Sequence, residues 1–207
     1  MRKNRRTSAS QPNHFFASSL FEITKNRCAW CEKDDLYRDY HDNEWGKPVY
    51  DDAILFEFLV LETFQAGLSW HTVLKKRENF RKAFDQFNYK KIAEYNEDKV
   101  QELLLDAGII RNQLKIRGTI INAILFIKVQ EEFGTFSKYI WNFVDEKPIE
   151  NNPTTLKEVP ATSEISDAIS KDLKKRGFKF VGSTVVYAHM QATGMVNDHI
   201  TDCWTRK

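Results

Sequence analysis

The hydrophobic pattern along the chain is helical. Residues 52–66 (DAILFEFLVLETFQA) are apolar on nearly every side, as expected of a helix buried at the centre of a domain. Asp51 or Asp52 can accept hydrogen bonds from its first backbone N–H groups, and Gly67 ends it. Residues 70–84 then form an amphipathic, basic pattern that predicts a second helix. Its apolar side consists of Trp70, Val73, Leu74, Phe80 and Phe84.

Four further helices are predicted, and a glycine follows each of them. They span residues 98–106, about 112–132, 163–176 and about 183–193, followed by Gly108, Gly134, Gly177 and Gly194. No segment alternates convincingly enough to predict a strand, and the 8 glycines and 5 prolines are too few for an all-β sandwich. No run of 18 apolar residues occurs, so we expect no membrane span. The pattern predicts an all-α fold.

Charge is unevenly distributed, although the net charge of the whole chain is only +2. Residues 1–27 contain six basic residues and one acidic residue, whereas the remainder is net acidic. We interpret residues 1–26 as a basic, mobile tail and residues 27–207 as one domain. Three segments, 75–82, 111–128 and 171–179, each carry a net charge of about +4. Such segments are usually solvated faces, but three of them on an acidic domain favour contacts with phosphate.

Residues 100–124 read as a helix, a tight turn at Gly108 and a second helix that begins near Asn112. The free N–H groups at a helix start bind anions, and Arg111 and Lys115 add positive charge there. A helix-hairpin-helix element holds a DNA phosphate in this way without reading the base sequence. The alternative is an ordinary helical hairpin with a solvated basic face.

Cysteine and histidine residues near both ends of the chain are candidate metal ligands. His199 and Cys203 are four residues apart, so they share one side of a helical turn, and Cys28 and His41 lie near the other end. Two cysteines and two histidines make a closed tetrahedral zinc site, which would fasten the C-terminus to the N-terminal part of the domain. The alternatives are reduced cysteines with surface histidines, or a chelating or redox pair formed by Cys28 and Cys31. Three cysteines indicate a reducing compartment, and we expect a cytoplasmic protein.

Glu62 lies on the apolar side of the first predicted helix, together with Leu55, Leu59 and Ala66. A carboxylate buried there must be paired or protonated. It is therefore either a structural ion pair or the floor of a pocket. Glu57 lies on the same helix but faces elsewhere, and we expect only a structural use for it.

Aromatic residues cluster on either side of this helix in the sequence. They are Trp30, Tyr37, Tyr40, Trp45 and Trp70. Tyrosine and tryptophan suit a pocket that stacks a flat ligand and hydrogen-bonds its edge, whereas the alternative is an ordinary aromatic core.

These residues belong to longer motifs that resemble the 3-methyladenine DNA glycosylase I family. The motifs are RCAW (27–30), YHDNEWGKP (40–48), LETFQAGLSWHTVLKKRENFRKAF (61–84), DAGIIRNQLKI (106–116), LKKRGFKFVGSTVVYAHMQATGMVNDH (173–199) and Cys203. The resemblance covers residues 27 to 203. It implies a helix-hairpin-helix glycosylase fold that flips 3-methyladenine out of alkylated duplex DNA and releases it by hydrolysis, with no membrane partner and as a monomer.

The resemblance also implies roles for individual residues. Glu62 and Tyr40 would hydrogen-bond the excised base and Trp70 would stack on it, with Trp30, Trp45 and Tyr37 as further pocket residues. Leu68 would fill the gap in the duplex. The phosphate-binding hairpin would comprise Gly108, Ile109, Ile110, Arg111 and Asn112. A structural Zn²⁺ would be held by Cys28, His41, His199 and Cys203.

Two residues depart from the family pattern. Cys31 is outside the zinc set, and His71 follows Trp70 where an apolar residue is expected, which would change the outer edge of the pocket. Three other functions therefore stay open. They are a zinc-stabilised DNA-binding module without catalysis, a redox enzyme that uses Cys28 and Cys31, and a glycosylase for a different damaged base.

Overall fold

The computed structural model describes residues 25–206, which form ten α-helices and one pair of short strands. The helices are α1 (Asp35–Asn43), α2 (Asp52–Gln65), α3 (Trp70–Leu74), α4 (Arg77–Ala83), α5 (Tyr89–Ile92), α6 (Glu97–Leu105), α7 (Gln113–Phe133), α8 (Phe136–Trp141), α9 (Glu164–Arg176) and α10 (Ser183–Ala192). The strands are β1 (Ile149–Glu150) and β2 (Val196–Asn197). Short 3₁₀ turns occupy Ala29–Cys31, Asp85–Phe87, Asn142–Val144, Leu156–Glu158 and Trp204–Arg206.

Helix α2 lies at the centre of the domain, as predicted. Its cap is Asp51, whose Oδ1 accepts hydrogen bonds from Ala53 N at 2.9 Å and Ile54 N at 3.1 Å. Every residue from Leu55 to Phe64 is buried, because α3, α7, α8 and α10 all pack against this helix. The unbroken apolar sequence is thus matched by neighbours on every side.

The helix predicted over 70–84 is two helices, α3 and α4, so that prediction was wrong in its continuity. The break falls at Lys75 and Lys76, where Lys76 N donates to the carbonyl of Val73 in a 3₁₀ turn. The Nζ of Lys76 donates to the carbonyls of Ala107 and Gly108. All five residues predicted to face inward are nevertheless buried.

The four later helices are confirmed to within two residues at each end. Helix α9 begins with a capping box formed by Ser163 and Ser166. Gly177 ends it with a φ of 100°, a left-handed conformation that glycine adopts without strain. The three helices α1, α5 and α8 were not predicted.

A small parallel strand pair supports the C-terminal segment, although no strand was predicted. Ile149 pairs with Val196 and Glu150 with Asn197. The fold is therefore mostly helical rather than strictly all-α. Within residues 25–206, no helix combines the length and apolar character that crossing a membrane requires.

The two ends of the described chain meet on one side of the domain. The carbonyl of Asn26 accepts a hydrogen bond from Trp204 N at 2.9 Å, and the Lys25 ammonium lies 3.6 Å from the Trp204 ring centroid. Lys25 and Asn26 therefore belong to the folded domain, although the predicted tail included them. Residues 1–24 of that tail lie outside the described residues.

Candidate active site and metal centre

A cavity of about 280 Å³ lies between α1, α2, α3 and α10. This volume is just below the range of about 300–1,000 Å³ that is typical of small-molecule sites. Its lining residues are Trp30, Tyr37, Tyr40, Trp45, Glu62, Gln65, Trp70, Leu156, Val159, Ala188 and Gln191. All six residues predicted for the pocket, four of which come from segments before α2, line this one cavity.

Helix α1 brings two tyrosines to the cavity. Asp34 caps the helix by accepting a hydrogen bond from Tyr37 N at 3.0 Å, and Tyr40 follows one turn later on the same side. The ring centroids of Tyr40 and Trp70 are 5.3 Å apart, and those of Trp30 and Trp45 are 5.0 Å apart. These aromatic walls suit a flat, aromatic ligand.

Glu62 lies in this cavity with only 4% of its surface exposed. Its Oε2 atom has no hydrogen-bond partner among residues 25–206. Burial raises the pKa of the Glu62 carboxyl to about 8. Buried polar groups are normally paired, so an unpaired carboxyl is suited to accept hydrogen bonds from a ligand.

Glu57 provides the internal comparison, because it lies on the same helix. Its Oε1 accepts hydrogen bonds from Arg77 Nε at 2.5 Å and from Arg81 Nη2 at 2.8 Å. Glu57 therefore has the structural ion pairs expected for it, whereas Glu62 has none.

Trp70 contributes a second unpaired polar atom. Its ring is nearly buried, and its Nε1–H has no acceptor among residues 25–206. A donor at Trp70 and an acceptor at Glu62 therefore line the same cavity. A ligand that stacks on the aromatic rings and carries a donor group would satisfy Glu62, whereas the in-plane Nε1–H of Trp70 needs an acceptor at the edge of its own ring.

Five lining residues were missed from the sequence: Gln65, Leu156, Val159, Ala188 and Gln191. Gln65 lies three residues after Glu62, and that spacing on one helix was a signal that could have found it. The others lie more than 90 residues further along the chain, and their own sequence pattern does not link them to α2.

His71 does not line the cavity, so the expectation that it changes the pocket edge was wrong. Its Nε2 lies 2.5 Å from Asp34 Oδ2, and its ring centroid is 5.1 Å from that of Tyr37. Backbone N–H donation from Tyr37 and the contact with His71 lower the pKa of Asp34. His71 therefore contacts the start of α1 through Asp34 and through the ring of Tyr37.

Cys28, His41 and Cys203 form a buried group that could hold a metal ion. Their ligand atoms all lie within 4.8 Å of one another, and Cys203 Sγ is 3.5 Å from His41 Nε2. Two thiols and an imidazole are ligands that zinc prefers. Burial raises the pKa of Cys28 to about 12, so metal binding there would displace the thiol proton.

His199 lies beside this group. Its ring centroid is 4.9 Å from that of His41, and its Nε2 atom is buried without a partner in the described part of the chain. Burial lowers the pKa of His199 to about 4, so the ring is neutral and can act as a ligand at neutral pH. His199 is not one of the three grouped residues, but its unpaired nitrogen is available to a ligand.

The other nitrogen of each ring is already held. His41 Nδ1 lies 2.8 Å from Asp42 Oδ1, and His199 Nδ1 lies 2.9 Å from Asn197 Oδ1. Burial alone would raise the pKa of Asp42, but hydrogen bonds, chiefly from Arg27, outweigh it and keep the pKa low. Such partners orient histidine ligands so that Nε2 remains for a metal.

Cys31 is outside this group of ligand atoms. Its thiol instead donates a hydrogen bond to the Cys28 carbonyl at 3.1 Å. The structure therefore groups Cys28 with His41 and Cys203, whereas Cys31 is a buried thiol outside the group.

The predicted hairpin lies between α6 and α7. Gly108 N donates to Asp106 Oδ1 at 2.7 Å, and a Cβ at position 108 would lie 2.9 Å from that oxygen and 3.2 Å from the Asn79 side chain, so a larger residue would force these side chains to shift. Ile109 is buried and Ile110 half-buried, as expected for residues between two helices. Arg111 and Asn112 are exposed. Their exposure leaves them accessible to a phosphate at the start of α7.

Leu68 lies in the exposed loop after α2, with 42% of its surface accessible. A second cavity, of about 170 Å³, is lined by Leu68 and also by Glu62 and Gln65. The loop therefore lies directly beside the residues of the main pocket.

Lys115 is a correction to the predicted DNA-contact surface. Its side chain is buried, and its Nζ donates to the carbonyls of Phe64 at 2.9 Å and Ala66 at 2.7 Å. Because its ammonium is satisfied inside the fold, Lys115 is not on the exposed surface of the hairpin.

The basic segments are also partly internal. Arg77 bonds Glu44 as well as Glu57, and Arg176 bonds Asp172 and Glu132. Net charge along the sequence therefore overstates the positive charge that these segments present to a partner.

Comparison with known proteins agrees with this geometry. The sequence is 51% identical over 177 residues to DNA-3-methyladenine glycosylase 1 of Escherichia coli (strain K12), covering 86% of this chain and 95% of that protein. It is 48% identical over 177 residues to DNA-3-methyladenine glycosylase of Haemophilus influenzae (strain ATCC 51907 / DSM 11121 / KW20 / Rd), covering 86% and 96%.

A solved structure of 3-methyladenine DNA glycosylase I from Staphylococcus aureus, described as the structural basis of its 3-methyladenine recognition, matches with a TM-score of 0.85. It is 34% identical, and the match covers 88% of this chain and 97% of that one. The helical fold and the aromatic cavity thus define a protein of the DNA glycosylase class. A sequence model of methyladenine glycosylase matches residues 30–207, and the chain belongs to that family.

Proposed function

We propose that this protein is a DNA glycosylase that releases 3-methyladenine from alkylated duplex DNA by hydrolysis. The observation that carries the proposal is the buried, unpaired Glu62 carboxyl in an aromatic cavity. A binding module without catalysis would not need such a group. The relatives named above, which are glycosylases of 3-methyladenine, support the same activity.

The chemistry follows from the substrate. A base in a duplex must be flipped out before a pocket can reach it. Methylation at N3 makes the base cationic and weakens its bond to deoxyribose, so the base is already a good leaving group. Water adds at the sugar carbon and loses a proton to the solvent, the base leaves with the electrons of the broken glycosidic bond as neutral 3-methyladenine, and an abasic site remains.

Recognition of the flipped cation is the role we propose for the cavity. Ionised Glu62 accepts hydrogen bonds from the amino edge of the base and favours a cation over neutral adenine. Tyr40 fixes the orientation of the base, and Trp70 stacks on it, which adds a cation–π attraction of roughly 0.5–2 kcal/mol. Trp30, Trp45 and Tyr37 complete the walls. Glu62 is the only carboxylate among the described lining residues, and we assign no side chain the role of general base.

The DNA contacts are also proposed. Leu68 fills the gap that the flipped base leaves, because it is exposed beside the cavity. The hairpin residues Gly108, Ile109, Ile110, Arg111 and Asn112 hold a backbone phosphate at the start of α7.

We propose that Cys28, His41, His199 and Cys203 hold a zinc ion. The buried group of three ligands and the orphaned Nε2 of His199 support this set. When bound, the ion supplies structure rather than reactivity, because four protein ligands leave no position for water. It would join the segment before α1 to the C-terminal segment.

We also propose that the protein acts as a monomer in the cytoplasm. The buried free thiols of Cys28 and Cys203, which could hold a metal, persist most readily in a reducing compartment, and this supports the proposed location.

The test of the proposed activity is release of free base from methylated duplex DNA, with the products separated by chromatography. We expect release of 3-methyladenine with little 7-methylguanine. A folded, metal-loaded protein that binds the DNA but releases no base would refute the activity. Release of a different base, without 3-methyladenine, would show that the substrate is that other base.

The pH profile should report the ionisation of Glu62. Because the pKa of Glu62 in the free protein is about 8, the carboxyl is mostly protonated at neutral pH. We expect kcat/KM for base release to rise with pH and to level off above about pH 8, because kcat/KM follows ionisations of the free enzyme. The Glu62→Gln variant should lack this rise. A profile with the same rise in both proteins would assign it to another group.

A further inference from the structure

Lys115 connects the start of α7 to the end of α2. It is the third residue of α7, and only 8% of its surface is exposed. Its Nζ donates to two main-chain carbonyls, of Phe64 at 2.9 Å and of Ala66 at 2.7 Å. Burial lowers the pKa of Lys115, so burying this side chain is costly unless its donors are satisfied.

The two carbonyls belong to the C-terminal end of α2. The last carbonyls of a helix have no partners inside the helix, and a positive charge at that end is favourable. Gly67, Leu68 and Ser69 follow immediately, and we call residues 66–69 the insertion loop. Lys115 therefore fixes the point at which the insertion loop leaves α2, four residues after Glu62.

The main chain of the same lysine belongs to the hairpin. Lys115 N donates to Asn112 Oδ1 at 3.1 Å, which is the cap that opens α7. Lys76 also contacts the hairpin, since its Nζ donates to the carbonyls of Ala107 and Gly108 at 3.1 and 3.0 Å. One residue thus joins the start of α7 to the insertion loop.

We infer that Lys115 is a positioning residue that holds the insertion loop in fixed register with the phosphate-binding hairpin. When the hairpin binds a phosphate at the start of α7, this fixed register determines how far Leu68 enters the duplex. It also determines where the flipped base lies relative to Glu62. This inference rests on the proposed glycosylase function. It replaces the phosphate contact that the charge of Lys115 suggested.

The test compares Lys115→Met with the wild-type protein in three measurements. The single-turnover rate of 3-methyladenine release at saturating DNA should fall roughly 10- to 100-fold, because small misplacements of reacting groups are costly. The affinity for free 3-methyladenine, which needs only the pocket, should be unchanged. The slope of log affinity for DNA against log salt should also be unchanged, since no phosphate contact is lost.

Two variants calibrate these measurements. Arg111→Met removes an exposed hairpin charge and should flatten the salt slope by about 0.9. Lys90→Met removes an exposed charge on α5 and should change none of the three. If Lys115→Met is unfolded at the assay temperature, Lys115→Gln, which keeps a shorter donor, is measured in the same way.

Each outcome decides the inference. A flatter salt slope for the Lys115 variant would make it a phosphate contact, and a proportional loss of free-base affinity would make it a part of the pocket wall. An unchanged release rate would also overturn the positioning role, while wild-type release would leave the proposed function standing. If the wild-type protein releases no base, the proposed function fails and this inference fails with it.

Discussion

Replacing Glu62 with glutamine should reduce 3-methyladenine release roughly 10- to 100-fold, while DNA affinity changes by less than about threefold. Glutamine keeps the size of the side chain but cannot carry the charge that favours a cationic base. Hydrogen bonds to charged groups contribute about 1.5–3 kcal/mol against 0.5–1.5 kcal/mol for neutral ones. The measurements are single-turnover release and DNA binding on the same methylated duplex. Equal losses of release and of binding would contradict the pocket role.

The same substitution should stabilise the protein, which separates a loss of chemistry from a loss of fold. A carboxyl whose pKa is raised from 4.5 to about 8 on folding contributes stability below pH 4.5 that is lost as pH rises through 8. We expect Glu62→Gln to unfold with a free energy higher by on the order of 3 kcal/mol at pH 7, with less difference at pH 5. A lower melting temperature at pH 7 would contradict the burial of an unpaired carboxyl.

Glu57→Gln is the matched control on the same helix. Because Glu57 bonds Arg77 and Arg81, this variant should melt at a lower temperature than the wild-type protein. Its release rate per folded molecule should be unchanged. The two variants should therefore differ in both measurements: their melting temperatures shift in opposite directions, and only Glu62→Gln loses base release.

The long helices could be predicted because their own sequences specify them. Helix α2 carries its cap at Asp51 and a continuous apolar run, and α9 ends at a glycine that adopts a left-handed conformation. Helix α1 was missed because its sequence, DLYRDYHDN, has a single aliphatic residue and so no apolar repeat. Helices α5 and α8, of four and six residues, were missed because helices this short are stabilised by packing rather than by their own pattern. The break at Lys76 was missed for the same reason, since its bonds to Ala107 and Gly108 are tertiary.

The pocket could be predicted only where chemistry showed in the sequence. An acid on an apolar helix face singles out Glu62, and clustered aromatics single out residues such as Trp30 and Trp70. Leu156 and Ala188 carry no such signal, because an aliphatic residue in a pocket looks like any core residue. Lys115 shows the opposite error. Its charge suggested a surface contact, but the direction of a side chain depends on neighbours that lie about 50 residues away.

Replacing Cys203 with serine should abolish stoichiometric zinc binding and lower the melting temperature together. A metal that binds only the folded chain contributes about 4 kcal/mol at a concentration 1,000 times its Kd. For a chain of this size, that loss corresponds to a decrease of roughly 8–16 °C in melting temperature. Metal content by mass spectrometry and thermal unfolding, each with and without chelator, provide the measurement.

Cys31→Ser is the control that makes this result specific to the metal. Both thiols are buried, so both substitutions remove one buried sulfur, but only Cys203 Sγ lies among the candidate ligand atoms. Cys31→Ser should therefore retain one zinc ion and a melting temperature that chelator still lowers, whereas chelator should not affect Cys203→Ser. Loss of zinc from the Cys31 variant alone would move the site to a Cys28–Cys31 chelate. Wild-type protein that contains no zinc and melts at the same temperature with chelator would refute a fastening role for the metal.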